Sequence, residues 1–389
     1  MGQLTTAGSS LIRLLPGAHR PLFADRRFCR LLPVFTLSDL GEGMSTVAVA
    51  WLALALAPAS APGVLVGAAV AAYILPGVLG ALALGRWMRR LPARQLLVVD
   101  GWLRAVLLGA VPVAWAAGAL TPVLYVSLLA GSSLLHAWGK AGKYALFAPL
   151  LPDDQRLAAN TVLSTSVWTS VIVGPAPAGV LADAVSPALI IGLDALTFAV
   201  LALQAGAVPL PPSSFSSSAS RHAAGGSTRQ GIGILLRQRE LLGLLAVTWF
   251  FNLFFGPVEV ALPLFVTHDL HAGSGLLGCY WAAFGAGGVL GAFGLDLARR
   301  LLLWPVMLGI IAGHGLALLP FALHTNAAAA SLAGFAAAGI VYGPYSALSF
   351  TLVQDRTPAD SLTTVLAAAA AAVLVLHARR RRPAGSMGP

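Results

Sequence analysis

The sequence predicts an all-α, polytopic membrane helix bundle of about eleven helices, ten clear spans and one marginal, arranged in two pseudo-symmetric halves. Three observations predict it. The 389 residues are 58% hydrophobic and only 10% charged, with a mean hydropathy of +0.83, whereas soluble domains carry roughly 25% charged residues. Apolar blocks long enough to cross ~30 Å of hydrocarbon recur at 31–57, 63–84, 96–118, 121–138, 160–182, 187–206, 242–266, 274–295, 301–322 and 326–353. Most of the 24 Lys and Arg residues lie between those blocks. A water-soluble globule is excluded.

The elements follow in order. A cytoplasmic tail, residues 1–30, carries Arg13, Arg20, Arg26, Arg27 and Arg30. Its basic start is too long for a cleavable leader, so the first apolar block is a first span. Basic residues then recur after every second span: "GRWMRRLPAR" at 85–94, Lys140, Lys143 and Arg156 after span 4, and Arg221 to Arg239 between spans 6 and 7. Outer connections such as "ASAPG" and "GALT" carry none. The positive-inside tendency therefore puts the amino terminus in the cytoplasm of a multi-pass cell-membrane protein. The 85–94 arginines are topology anchors; nothing beside them reads nucleic acid. Residues 31–206 form a six-span half, 207–240 a Pro-, Ser- and Gly-rich cytoplasmic linker, 241–376 an incomplete second half and 377–389 a basic tail. Cys29 and Cys279 have no metal-site or disulfide-framework spacing, and no nucleophile–base or metal cluster marks an enzyme.

Several stretches, in this order and spacing, carry a resemblance: "SDLGEGM" at 38–44, the 85–94 loop, "DGWLRA" at 100–105, "GKYALFAPLLPDDQRLAAN" at 142–160, "GPAPAG" at 174–179, "LDALTF" at 193–198 and "VQDRTP" at 353–358. Over about residues 26–360 the chain resembles the major facilitator superfamily, most closely its drug and siderophore exporter branch. That resemblance implies a central substrate cavity, alternating access and proton antiport. The family's Gly-x-x-x-Asp-Arg-x-Gly-x-Arg loop matches at Gly85, Arg90 and Arg94, but Arg89 stands at its acidic position and Pro92 at its second glycine. After span 10 only "SLTTVLAAAAAAVLVL" precedes "HARRRRPAGSMGP", so the expectation is a carboxyl end shortened by one helix. Both departures touch one contact between the halves and are expected to belong together. Eleven crossings leave Arg379 to Arg382 outside, whereas ten keep them inside.

Ionisable groups within hydrocarbon are costly and mark candidate sites. Asp39 and Glu42 are three apart on one face of span 1. Two carboxylates so close tend to share a proton, which suits proton-coupled export of a cation. The alternative is that Ser38 or Ser45 satisfies them structurally. Glu42 matches the family's acidic position. Glu259 in span 7 reads as a gate or substrate-access acid, or as a carboxylate snorkelling to water. Asp100 and Arg104, four apart, are expected to form a structural ion pair. Asp194 is expected to accept structural hydrogen bonds. Gly174, Pro175 and Gly179 permit close backbone approach and a kink, in an element that the family places between its halves. Gly287 and Gly291 suit small-residue helix packing. His136 and His314 read as isolated packing imidazoles, and Trp51, Trp102, Trp168, Phe250, Phe251 and Phe255 as cavity-lining or lipid-facing aromatics.

The expected function is secondary active, proton-coupled multidrug efflux of lipophilic or cationic small molecules by an antiporter. The partners are the substrate and the bilayer, with no nucleic acid; the chain acts as a monomer, without a bound cofactor or metal, on the proton gradient. The alternatives are a metabolite or siderophore exporter, and a non-transporting remnant, membrane partner or sensor.

Overall fold

The computed structural model describes residues 22–88, 91–147, 159, 162–163, 165–167, 169–170, 173–208, 239–293, 303–323 and 328–356. Among them every regular element is helical: α1 (Arg26–Leu56), α2 (Pro62–Ala83), α3 (Ala93–Ala116), α4 (Pro122–Ser133), α5 (His136–Phe147), α6 (Pro175–Ala184), α7 (Pro187–Ala207), α8 (Arg239–Leu264), α9 (Ser274–Phe293), α10 (Leu303–Ala317) and α11 (Ala328–Arg356). A single π-helical turn, Phe265–Asp269, follows α8. The described residues of 159–173 are also mostly helical. Four described helices, α1, α2, α3 and α7, are long and apolar enough to cross a membrane. The last segment, 357–389, the loop residues Arg89 and Arg90, and most of the 207–240 linker lie outside the described residues.

Local chemistry sets the helix starts. Asp25 caps α1, its Oδ1 accepting from the Arg27 and Phe28 amides at 2.7 and 3.3 Å. Thr121 caps α4 through the Leu124 amide at 3.2 Å. Pro62, Pro122, Pro175 and Pro187 occupy first-turn positions, where a missing N–H costs nothing. Pro33, Pro76 and Pro112 lie inside helices, as a bundle in hydrocarbon tolerates.

Contacts divide the chain into two compact units. The first joins the described residues of Met1–Ala219 to Val260–Gly285; the second joins those of Ser220–Glu259 to Ala286–Pro389. In the first, α7 packs chiefly along α3 and α1, and α3 along α5. Small residues let these backbones approach. A Cβ on Gly41 would lie 2.7 Å from Asp194 Oδ1 on α7, and one on Gly174 would lie 2.8 Å from Gly43 Cα. The glycines of "GEG" thus bring α1 close to two neighbours while Glu42 points elsewhere. At the far end of "GPAPAG", a Gly179 Cβ would lie 2.7 Å from Gly278 Cα, and Ser274 Oγ donates to the Gly179 carbonyl at 3.2 Å.

In the second unit, Gly287 and Gly291 of α9 meet the α11 backbone at Ala336 and Ile340, the small-residue packing that the sequence implies. Met307, Ile310 and Tyr345 form its buried apolar centre, with Val247, Val306, Val341 and Tyr342 packed against it.

Span 4 differs from expectation. The apolar pattern ends near 138, but helix resumes at His136 after a break at Leu134–Leu135 and continues to Phe147. Lys140 and Lys143 therefore lie on a packed helix and not in a loop. The charge does not end the helix because a neighbouring helix neutralises it.

Gly179→Leu is expected to destabilise the fold by about 1–3 kcal/mol through overpacking, seen as a lower melting temperature and loss of monodisperse protein. Gly206→Ala, whose new Cβ finds its nearest neighbour 3.8 Å away at Val98, is expected to leave both unchanged.

Candidate functional site: an acid–base ladder between two helices

His136, Lys140 and Lys143 recur at i, i+4 and i+7 along one face of α5, matching the i, i+3 acids of α1. Lys143 Nζ donates to Asp39 Oδ1 and Oδ2 at 2.8 and 2.6 Å. Ser166 Oγ adds a third bond to Asp39 at 2.8 Å and reaches Thr36 at 3.1 Å. Asp39 is thereby tied to two other helical segments, with the Lys143 side chain only 7% exposed. The Phe35 ring lies 5.2 Å from the same ammonium.

Glu42 is held more loosely. His136 Nε2 lies 3.1 Å and Lys140 Nζ 3.4 Å from its Oε1, while Arg104 Nη1 approaches Oε2 at 3.9 Å. The Glu42 side chain keeps 23% exposure and Lys140 keeps 49%, so this rung is less enclosed than that of Asp39 and Lys143. No hydrogen bond joins Asp39 to Glu42. They do not form a proton-sharing pair; each has its own cationic partners. Ser38 and Ser45 do not serve them either, since Ser45 Oγ donates to Asp194 Oδ2 at 2.6 Å.

Asp194 on α7 is fully buried and also receives the Tyr73 hydroxyl at 3.5 Å and the Thr197 hydroxyl at 3.4 Å. The Asp100–Arg104 ion pair expected from spacing does not form. Asp100 turns toward α5, where its carboxylate fills the space a Gly139 side chain would occupy, and its Oδ1 has no partner among the described residues. Arg104, fully buried, turns toward α1 and α7. Its guanidinium carbon lies 4.4 Å from the Phe198 ring centre and 5.5 Å from that of Tyr73, a cation–π seat. None of its three nitrogens makes a hydrogen bond with a described residue.

The other sequence candidates have contacts of their own. Gly85 begins a short helical turn, Gly85–Met88. Arg94 Nη1 donates to the Val208 carbonyl at 3.2 Å, joining the start of α3 to the end of α7. Gly174, Pro175 and Gly179 are buried packing positions. Glu259, on α8, is half-buried and makes no ion pair with a described residue. In the second unit His314 donates from Nδ1 to the Ala338 carbonyl at 3.2 Å. Phe251, Phe255 and Tyr342 surround it, with ring centres at 5.1, 5.7 and 6.3 Å. Trp102 sits 43% exposed on α3; Arg90 and the side chains of Trp168 and Phe250 lie outside the description.

Sequence reasoning missed the basic half of the ladder. His136 is not isolated, and Lys140 and Lys143 act as more than topology signals. Their i, i+4, i+7 spacing, extended past the end of the apolar block, was the available signal. Among the described residues no group of His, Cys, Asp and Glu is arranged to hold a metal.

Long apolar helices that pack ion pairs between them define a polytopic membrane helix bundle. The pattern of the Major Facilitator Superfamily matches residues 31–376; the chain belongs to that family, and as a transporter of it is not an enzyme. An uncharacterized MFS-type transporter, y4rN, of Sinorhizobium fredii (strain NBRC 101917 / NGR234) is 30% identical over 346 residues, spanning 87% of this chain and 82% of the relative. The fold is also similar to that of a bacterial homolog of the human lysosomal transporter Spinster, inward-facing and unoccupied (TM-score 0.65, 12% identity, 89% of this chain, 78% of that one). It is similar too to a bacterial homologue of the iron transporter ferroportin in its inward-facing state (0.61, 18%, 92% and 92%) and to a D-xylose–proton symporter (0.61, 16%, 88% and 87%).

Lys143→Met is expected to cost about 3–5 kcal/mol, because it leaves the Asp39 carboxylate buried without its counter-charge. Adding Asp39→Asn to it is expected to recover most of that loss. Melting curves of the single and double variants in detergent measure the coupling.

Proposed function

We propose that this transporter exports lipophilic small molecules, cationic ones foremost, in exchange for protons, with Glu42 as the proton-carrying carboxylate. The observation that supports this reading is the asymmetry of the ladder. Asp39 is locked by Lys143 and Ser166, whereas Glu42 is held by longer, looser contacts to His136, Lys140 and Arg104. A proton on Glu42 removes its attraction for Lys140 and Arg104, which loosens α1 from α5 and α3. Loss of that proton restores the attraction. A substrate cation competes with Lys140 for the same carboxylate, so proton and substrate exclude each other, as antiport requires. Alternating access then follows from two arrangements of α1 whose balance proton and substrate shift in opposite directions.

In this reading the chain is a monomer in the cell membrane with its amino terminus in the cytoplasm, and the proton gradient supplies the energy. Glu259 is a gate or substrate-access acid. The similarity to the exporter branch supports the direction of transport. A second reading, export of an anionic metabolite or siderophore, draws on the cations around Glu42: protonating that carboxylate frees Lys140 and Arg104 to meet an anion.

Cells lacking their own efflux pumps and expressing the chain are expected to accumulate less of some lipophilic cationic dyes or antibiotics. Glu42→Gln at matched membrane levels, or collapse of the proton gradient, is expected to return accumulation to the level of cells without the transporter. Export confined to anionic compounds would favour the second reading. Unchanged export by Glu42→Gln would remove Glu42 from the coupling role.

A further inference from the structure

Arg104 carries a charge that the ladder meets only at a distance. Its side chain is fully buried, and its one ion pair among the described residues is the 3.9 Å contact from Nη1 to Glu42 Oε2. That separation is too long for a hydrogen bond, and Nε, Nη1 and Nη2 find no hydrogen-bond partner among the described residues. Ring faces hold the guanidinium instead, its carbon 4.4 Å from the Phe198 centre and 5.5 Å from that of Tyr73. A ring face attracts the charge while fixing no N–H direction, so the head group can turn without leaving its seat.

Two further carboxylates, Asp100 and Asp194, lie close enough to feel this charge, and they differ. Asp194 already receives the hydroxyls of Ser45, Tyr73 and Thr197. Asp100 is buried, its Oδ2 lies against Gly139 of α5, and its Oδ1 has no hydrogen-bond partner among the described residues. It stands four residues before Arg104 on α3, the spacing at which a carboxylate and a guanidinium meet on one helix face. Of the other charged groups around the seat, His136 and Lys140 of α5 both contact Glu42, Lys143 is taken by Asp39, and α4 carries none. An acceptor short of a donor and a donor short of an acceptor thus share a face of α3.

We propose that Arg104 exchanges counter-ions, facing Glu42 while that carboxylate is ionised and turning to Asp100 when Glu42 is neutral. The inference deepens the reading of Glu42 as the proton-carrying acid and rests on it for its role in transport. Neutral Glu42 leaves the guanidinium without its ion pair, and a buried cation without a counter-charge is strongly unfavourable. Turning on its two rings, the group meets Asp100 and forms the pair that the i, i+4 spacing predicts. The pair implied by the sequence and the contact seen in the structure are then two states of one residue. Asp100 is a positioning residue: it receives the cation that protonation displaces and keeps it within α3, which breaks the electrostatic link from α3 to α1.

Melting temperatures of the full chain in detergent test the exchange without requiring transport, with Glu42→Gln standing for the neutral acid. Asp100→Asn alone is expected to move the melting temperature by no more than about 2 °C, since it removes no hydrogen bond of Arg104. In the Glu42→Gln background the same substitution is expected to lower it by roughly 5–10 °C, because the guanidinium then has neither carboxylate. With Arg104→Met added throughout, the difference between the two backgrounds is expected to vanish. Equal shifts in the two backgrounds with Arg104 in place would overturn the proposal. So would a difference that survives Arg104→Met, which would mark repulsion between the two carboxylates and no exchange. If the Glu42→Gln, Asp100→Asn chain is not recovered as monodisperse protein, recovery on adding Arg104→Met would support the exchange, and continued failure would count against it. Dye export reports separately on Glu42: loss of its coupling role would leave the melting result standing.

Discussion

Two carboxylates stand in the middle of the first apolar helix, and their charge must be met where water is scarce. An unpaired ion in such a place costs several kcal/mol, so neighbouring elements are arranged around Asp39 and Glu42. α5 brings three basic side chains to them at helical spacing. The glycines either side of Glu42 let α1 approach α7 and the Ser170–Gly174 backbone closely. Arg104 lies buried beyond the acids, seated on aromatic faces. Helix continuation past residue 138 is one consequence: a lysine that would end a span in lipid continues one when an aspartate waits across the interface.

Polar groups of this unit differ in how completely they are satisfied, and that difference separates scaffold from moving part. Asp194 receives hydroxyls from three helices and fixes α1, α2 and α7 together. Asp39 has an ammonium and a hydroxyl. Glu42 has longer, looser contacts. Arg104 and Asp100 keep atoms without a hydrogen-bond partner among the described residues. A group that must change partners cannot also be fully satisfied in one arrangement, which is why the proposed proton exchange falls on Glu42 and not on Asp39.

Most of the helical plan was legible in the sequence. Predicted spans such as 63–84 and 187–206 agree closely with α2 and α7, because a helix in hydrocarbon must be apolar along most of its length. The acids at 39, 42 and 194 were legible as candidates for the same reason. Their partners were not. Lys140 and Lys143 stood just beyond an apolar block, where basic residues usually mark a loop, and His136 had no polar neighbour in sequence. Asp100 and Arg104 had the right spacing for a pair, yet Gly139 on α5 and the rings of Phe198 and Tyr73 draw them apart.

The amino-acid sequence by itself determined the solvent of this protein, the positions of its main apolar helices, and which ionisable groups stood out as candidates. Those follow from composition and period, properties of single segments against a ~30 Å slab. Tertiary structure decided who neutralises whom: Lys143 with Asp39, His136 and Lys140 with Glu42, Ser45 with Asp194. These pairs lie 94 to 149 residues apart, and nothing in a local pattern can choose among cations of equal charge. Only the packing angle and depth of each helix, set by glycine contacts and apolar faces, puts one of them within hydrogen-bond reach.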